Sequence, residues 1–490
     1  MGISDVQTEG TAVVQRVRQF GVETVIYSGT QVAARLLAMI AVAVYARAIL
    51  PEGFGLLDVA LAIQSALIPL AALGLRAAAK LFWFTEDDPE AVNTTALAAL
   101  VIFAAGLAVL GYGLAPALSV ALSGTSANAG VFRLALWTIP PLLVRDYMAG
   151  MLRIVQRPWH YAMIAVGAAA VQAVLSAILV VVGGQGVAGV LQAGLITQML
   201  FAGGALWLGR QTLAARFSRS LLRRMLVYGL PLVPAELVRW AMNNANRLIF
   251  ALYGLLGAAG IYGIGFRAGL LVLVIVQAFE LGWQPFAFSI AGREDAPRLY
   301  ARAALLYVVL AGTVAAAVGL FAREITAFLA PVEYAGAVVV APFVGLAHLL
   351  SGLGTVTAIG AYVARQTWRI SAATALGAVV TLLLTALLIP SGGAIGAAAA
   401  ALAGQAAIVG LLIVLTQRAY AIPFFWGRMG LAGLSAVLLS VVGLLWPGEM
   451  PLAPTLVFKG LLLALWPLWL FVLGVWRQED WRTFRQLVRS

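Results

Sequence analysis

An all-α, polytopic membrane protein of about 14 transmembrane helices is the fold class this sequence predicts, and three observations predict it. Hydrophobic residues make up 63% of the 490-residue chain and charged residues only 10%, against about 45–50% and about 25% in a soluble domain. The apolar runs last about twenty residues or more, the length of a helix crossing a bilayer, and lack the alternation of barrel strands. The 31 Lys and Arg outnumber the 19 Asp and Glu, and they gather in alternate polar breaks. Backbone groups in lipid must be satisfied internally, so a helix bundle follows.

The breaks place each span. The first, 24–48, stops at Pro51-Glu52-Gly53, and the second, 56–80, at Glu86-Asp87-Asp88-Pro89-Glu90. Spans 91–120 and 131–153 flank Ser123-Gly124-Thr125-Ser126, and spans 160–183 and 188–208 flank Gly183-Gly184-Gln185-Gly186. After a basic segment come 229–254 and 260–290, then 303–322 and 336–362. Spans 370–389 and 394–416 flank Pro390-Ser391-Gly392-Gly393. The last two are 429–446 and 452–476. Gly, Pro, Ser and Asp punctuate chains because they suit turns and disfavour helix continuation.

Charge asymmetry sets the expected orientation. With the N-terminus inside, 22 of the 31 basic residues fall in cytoplasmic segments, among them Arg76, Lys80 and Arg153. Three (Arg47, Arg323 and Lys459) fall in external ones. This is the positive-inside pattern, with both termini cytoplasmic. It explains the net charge of +12 without nucleic acid as a partner. The first span serves as insertion signal, since no short apolar segment with a small-residue cleavage motif precedes it. Cys is absent and only His160 and His348 occur, which excludes disulfides, thiolate chemistry and a ligand-spaced metal site. No cofactor is expected.

The chain repeats itself. Gly186-Val187-Ala188-Gly189 with Gln198 matches Gly393-Ala394-Ile395-Gly396 with Gln405, and Tyr27 and Arg47 fall near Tyr228 and Arg247 after a shift of about two hundred residues. Two copies of a six-helix unit follow: 1–228 as an N-lobe with its basic linker, 229–416 as a C-lobe, and 417–490 as two extra spans with a basic tail. An even number of spans per copy makes the repeat parallel.

Ionisable groups inside spans are expensive, so they face partners or a cavity. Glu236, Arg239, Asn243, Asn246 and Arg247 share one face of the seventh span, at helical spacing. Thr24, Ser28, Gln31 and Arg35 form a stripe on the first. Gln277, Glu280 and Gln284 share a face of the eighth, with Arg267 roughly 80–140° away. Arg145 and Asp146 are adjacent in the fourth span, point about 100° apart, and are expected to pair with other helices. Arg35, Arg145, Arg239, Arg247 and Arg267 outnumber the acids Asp146, Glu236 and Glu280. That surplus predicts an aqueous, cationic cavity lined by spans one, two, seven and eight. Its ligand is a phosphate-bearing anion, because guanidinium forks onto phosphate oxygens. Arg35, Arg239, Asn243, Asn246, Arg247, Arg267 and Glu280 are the candidate binding residues. Gln31, Arg47, Arg145, Asp146, Glu236, Gln277 and Gln284 are cavity or structural candidates. His348 is read as a buried, hydrogen-bonded histidine.

Several segments carry a resemblance. Tyr45-Ala46-Arg47-Ala48-Ile49-Leu50-Pro51-Glu52-Gly53-Phe54-Gly55, Arg153-Ile154-Val155-Gln156-Arg157-Pro158-Trp159-His160-Tyr161 and Tyr228-Gly229-Leu230-Pro231-Leu232-Val233-Pro234 are three of them. Trp283-Gln284-Pro285-Phe286 and Leu388-Ile389-Pro390 with Gly393-Ala394-Ile395-Gly396 complete the set. In order, and at these spans, they resemble the bacterial polysaccharide (O-antigen) flippases of the multidrug/oligosaccharidyl-lipid/polysaccharide exporter superfamily. The resemblance implies a V-shaped pair of six-helix lobes in the inner membrane. It implies alternating-access export of an undecaprenyl-pyrophosphate-linked oligosaccharide for lipopolysaccharide or related polysaccharide. A glycan polymerase and a chain-length regulator are the implied partners. Drug exporters of the same superfamily carry acidic cation sites in the N-lobe, and the first span here has no carboxylate, so coupling to Na⁺ or H⁺ stays open. A drug antiporter, or a membrane glycan polymerase or ligase, are the alternatives.

The topology is testable with reporter fusions. Fusions after residues 86, 217, 295, 366 and 480 are expected to read cytoplasmic, and those after 125, 256 and 392 external. A mixed pattern would sink the span assignment, and a uniform swap would invert it.

Overall fold

The computed structural model describes residues 26–447, 450–475 and 477. Thr24 of the first polar stripe and the terminal basic residues Arg16, Arg18, Arg482, Arg485 and Arg489 lie outside these. Every regular element among the described residues is helical. By contacts the chain forms two compact units, 1–254 and 255–490.

The first unit opens with α1 (Ile26–Tyr45) and α2 (Pro51–Ala72), which starts on a proline whose missing N–H no helical bond requires. Leu73 and Gly74 are both left-handed and turn the chain into α3 (Leu75–Thr85). α4 (Pro89–Ser123) is capped by Asp88, whose carboxylate accepts from the Ala91 N–H at 2.9 Å. The fourth span is α5 (Ala129–Trp137) followed by α6 (Ile139–Ile154), broken where Pro140 and Pro141 enter. α7 (Pro158–Ala177) continues as a π-turn over Ile178–Val182, and α8 (Gly186–Gly209) follows. The basic segment folds into α9 (Arg219–Gly229) with Ser218 as its cap, and α10 (Val233–Leu252) completes the unit.

Its core is Leu75, Leu100, Leu136, Ile139, Met148 and Met225, all fully buried. The sequence leads one to expect a second repeat copy from 229, whereas by contacts α10 belongs with the first unit. Trp240 of α10 donates its indole N–H to the Ala62 carbonyl (3.2 Å) and the Ser65 hydroxyl (3.0 Å) of α2. Backbones meet directly at Gly74 and Gly229, where a Cβ on Gly74 would collide with the Gly229 carbonyl.

The second unit comprises α11 (Leu256–Gly269), α12 (Leu271–Ser289), α13 (Ala296–Leu320) and α14 (Ala322–Leu329). Then come α15 (Ala337–Thr357), α16 (Ile359–Val363) and α17 (Trp368–Gln417). It ends with α18 (Trp426–Leu445), α19 (Leu452–Ala464) and α20 (Trp466–Val472). α17 is a helical hairpin. Gly393 breaks it at φ 52°, ψ −130°, and Arg369 near its start donates to the Leu415 carbonyl near its end at 2.6 Å. Gly186 in the first unit has the same φ of 52°, so the two glycines paired by the repeat adopt the same left-handed φ, one that favours glycine.

Among the described residues, twelve helices are long and apolar enough to cross a membrane. Counting the α17 hairpin as two, and adding the 20-residue α10 with its three ionisable residues, the described residues hold fourteen.

Arg76 and Lys80, counted with the cytoplasmic basic residues, lie on the helix α3. Two sequence expectations change. Lys459, assigned to an external segment, is fully buried in α19; its ammonium donates to both Glu324 oxygens (2.7 and 2.9 Å) and sits 5.8 Å from the Trp446 ring and 5.9 Å from that of Phe321. A lysine stem of four methylenes suits such a site only because the partner meets its charge there. His348 lies edge-on to Phe266 at 6.1 Å, and its buried Nε2 has no hydrogen-bond partner, so it packs as a ring and is not hydrogen-bonded at that atom.

Breaking one side of a buried ion pair costs about 3–5 kcal/mol. Lys459→Met is therefore expected to lower the unfolding temperature of the purified protein sharply. Adding Glu324→Gln should recover most of the loss. A single variant as stable as the parent would remove this pair from the stabilising contacts.

Candidate substrate cavity

A cavity of about 770 Å³ lies within the first unit. Its space comes from small residues on the facing helices: Ala34, Ala77, Ala149, Gly150, Ala165 and Ala168 put methyl groups or nothing where larger side chains would meet. Its polarity comes from six helices. α3 contributes Arg76 and Lys80, four residues apart and so one turn apart on one face. α6 contributes Arg145, Asp146 and Arg153; α1 contributes Gln31, α7 Tyr161 and Gln172, α8 Gln198, and α10 Glu236.

Four cations thus face two carboxylates. Arg145 and Asp146 bond to each other, at 2.6 and 3.1 Å to one carboxylate oxygen. The expectation that they pair with other helices is wrong, because the long arginine side chain bends back across the angle between them. Glu236 reaches Arg76 at 3.7 Å and not Arg239 of its own helix. Both pairs are partly open, with side chains 21–39% exposed. The Arg153 guanidinium stacks over Tyr161 at 5.0 Å, and the Tyr161 hydroxyl accepts from Gln31 at 2.9 Å. The buried Oε1 of Gln198 has no partner, a state that native proteins rarely leave without a ligand or water.

Other candidates sit elsewhere. Arg247 meets Asp58 of α2 at 3.9 Å, both nearly buried (12% and 3% exposed). It also donates to the Asn243 carbonyl (3.1 Å) and to Asn244 and Asn246 side chains (both 3.4 Å). The Asn243 amide donates to the Arg239 carbonyl at 2.8 Å. Asn243 and Asn246 therefore bond within α10, and Arg239 is exposed on it. Arg35 is partly exposed on α1; it and Arg239 are not among the residues lining this cavity. Arg47 donates back to the Ala43 carbonyl.

In the second unit, a helix break at Leu270 puts Arg267 on α11 and Gln277, Glu280 and Gln284 on α12. Arg267 donates to the Gly263 carbonyl at 2.9 Å, and Glu280 accepts from the Thr355 hydroxyl at 2.7 Å.

The tally of three span acids omitted Asp58, a lone acid in an apolar run whose isolation was the signal. Arg76, Lys80 and Arg153 were missed because charge at a span end reads equally well as loop or cavity wall. Gln198 was visible only as a marker of the repeat.

A family model described as "Polysaccharide biosynthesis protein" matches residues 21–281, just over half of the chain. No curated protein sequence matches. Among solved structures, the fold is similar to that of the lipid II flippase MurJ in an inward closed conformation. That match has a TM-score of 0.72 at 12% identity, over 90% of this chain and 98% of the other. It is also similar to an inward-facing multidrug resistance MATE family transporter of the MOP superfamily, at TM-score 0.62 and 17% identity over 82% and 95%. A variant of the Vibrio cholerae MATE transporter VcmN gives 0.53 at 14% identity over 84% and 98%. At these identities the likeness establishes the fold.

Since Asp58 pairs with Arg247, Arg247→Ala strands a buried carboxylate and is expected to lower stability by about 2–5 kcal/mol. Asp58→Asn, added to it, should restore thermal stability; Glu236→Gln should not. Rescue by Glu236→Gln alone would overturn the assignment of partners.

Proposed function

The chain belongs to the polysaccharide biosynthesis protein family, and from that premise we propose that it is a flippase of the bacterial cytoplasmic membrane. Its substrate is an undecaprenyl-pyrophosphate-linked oligosaccharide, a precursor of O-antigen or another polysaccharide. The head group crosses from the cytoplasmic to the outer leaflet by alternating access of the two repeat lobes, 1–228 and 229–416, while the lipid tail stays in the bilayer. Both termini are cytoplasmic, and a glycan polymerase and a chain-length regulator act on the exported product.

The observation that carries this reading is the cavity's excess of cations: Arg76, Lys80, Arg145 and Arg153 against Asp146 and Glu236. A pyrophosphate supplies the missing negative charge, and a guanidinium grips it in a bidentate fork. Gln31, Gln172 and Gln198 with Tyr161 add neutral donors and acceptors suited to sugar hydroxyls, the free Oε1 of Gln198 among them. The partly open pairs Arg145–Asp146 and Arg76–Glu236 hold these arginines until the phosphate replaces the carboxylate. An inside-negative potential favours outward movement of an anion by about 2.3 kcal/mol per charge per 100 mV. No bond is made or broken, so the reading is a transporter and not an enzyme.

A drug or organic-cation antiporter is disfavoured by the sign of the same cavity, and the first-unit carboxylate Asp58 is already engaged by Arg247. The decisive test is flipping of a fluorescent undecaprenyl-pyrophosphate oligosaccharide in proteoliposomes. Arg145→Ala and Arg76→Ala are each expected to cut the rate at least about tenfold at unchanged folding, the loss of one charge-assisted contact. Arg→Lys should recover only part of it. Parental rates in both alanine variants, or organic-cation transport by the parent protein, would overturn the proposal.

A further inference from the structure

Between residues 334 and 448 the sequence holds four arginines (Arg365, Arg369, Arg418 and Arg428) and not one Asp or Glu. The fold of the second unit draws the first three to one end. Arg369 reaches the Leu415 carbonyl at 2.6 Å across the α17 hairpin. Arg365 precedes that contact by four residues, in the turn before α17, and Arg418 follows it by three, so both stand beside it. The backbone of Gly360 on α16 packs against Tyr420, closing the same corner from the other side.

The turn between α16 and α17 is built to present Arg365. The Gln366 N–H bonds the Ala361 carbonyl at 2.8 Å and the Arg365 N–H bonds that of Tyr362 at 3.0 Å, the paired bonds of a Schellman cap. Arg365 occupies the left-handed position at φ 55°, where glycine is usual, and its side chain is exposed. Arg365 and Arg418 are exposed and have no acidic partner among the described residues. On the adjoining α12–α13 turn, Asp295 is taken by Arg293 at 2.8 and 2.9 Å. Arg293, Arg298 and Arg302 there outnumber Glu294 and Asp295.

Aromatic rings share this surface. Trp368 is 61% exposed beneath the Arg369 guanidinium at 5.3 Å, and Tyr362 (42% exposed) stands edge-on to Phe288 at 5.9 Å. Exposed rings beside exposed arginines at the end of a transmembrane bundle mark the headgroup level of a bilayer. Free guanidinium there is complementary to phosphate held at that level.

We propose that the α16–α17 turn and the end of α17 form a binding site for the headgroup of an anionic diacyl phospholipid. Arg365 and Arg418 hold its phosphate, and Trp368 and Tyr362 sit beside its glycerol and upper acyl chains. This site is built from the second unit alone and serves a resident lipid, not the transported one.

Native mass spectrometry of the full chain, purified in detergent and incubated with phosphatidylglycerol or phosphatidylcholine, tests it. The parent protein is expected to retain phosphatidylglycerol in preference. Arg365→Gln with Arg418→Gln should weaken that retention roughly tenfold or more, as loss of two interfacial arginines implies. Arg216→Gln with Arg223→Gln removes the same net charge from exposed positions of the first unit and should leave it nearly unchanged. Equal retention of both lipids by the parent, or an equal loss in the Arg216/Arg223 variant, would overturn the site.

Discussion

A charge carried into hydrocarbon must be answered within a few ångströms, and the answers found here decide which helices meet. Asp58 with Arg247 and Glu236 with Arg76 tie α10 to α2 and α3, with Trp240 between them along the same helix. Lys459 with Glu324 ties α19 to α14. Apolar side chains cannot supply this specificity, since in lipid one leucine contact is worth about as much as another. The cavity of the first unit is the place where the answers fall short. Two carboxylates face four cations, and that imbalance has to be met by water or by a bound anion.

The periodicity and breaks of the sequence were enough for the class of fold, the number of helices and the position of nearly every turn. They were enough because each span reports its own solvent, residue by residue. The two glycines that the sequence aligns, Gly186 and Gly393, share a positive φ of 52°, which glycine adopts freely. What was not legible was pairing. Nothing in the neighbourhood of Arg247 points to Asp58, and nothing near Glu236 points to Arg76, because tertiary packing chooses those partners. Adjacent residues misled in the other direction. Arg145 and Asp146 point apart on an ideal helix, yet arginine's length lets it close the gap. A cavity made from the alanines and glycines of several helices has no signature in any one of them.

Fold alone leaves cargo undetermined, since similar helical arrangements occur in a lipid II flippase and in multidrug transporters. Under the proposed function, the distinguishing quantity is the sign of charge on the cavity wall. A space lined by alanines, guanidinium groups and amides fits the phosphate and sugars of that proposal. Organic cations would find the opposite of what they need.

Docking of α10 onto α2 also sets an order of events during synthesis. Asp58 leaves the ribosome 189 residues before Arg247. At about 5–20 residues per second that interval is about 10–40 s, long compared with the insertion of a helix into the bilayer. Throughout it, α2 sits in the membrane with a carboxylate whose native partner has not yet been made. The acid must wait without Arg247, and the Asp58–Arg247 contact can form only when α10 arrives. Ribosome pausing or truncation between these two positions would therefore leave an open, acid-bearing bundle, the form of this protein most exposed to membrane quality-control proteases.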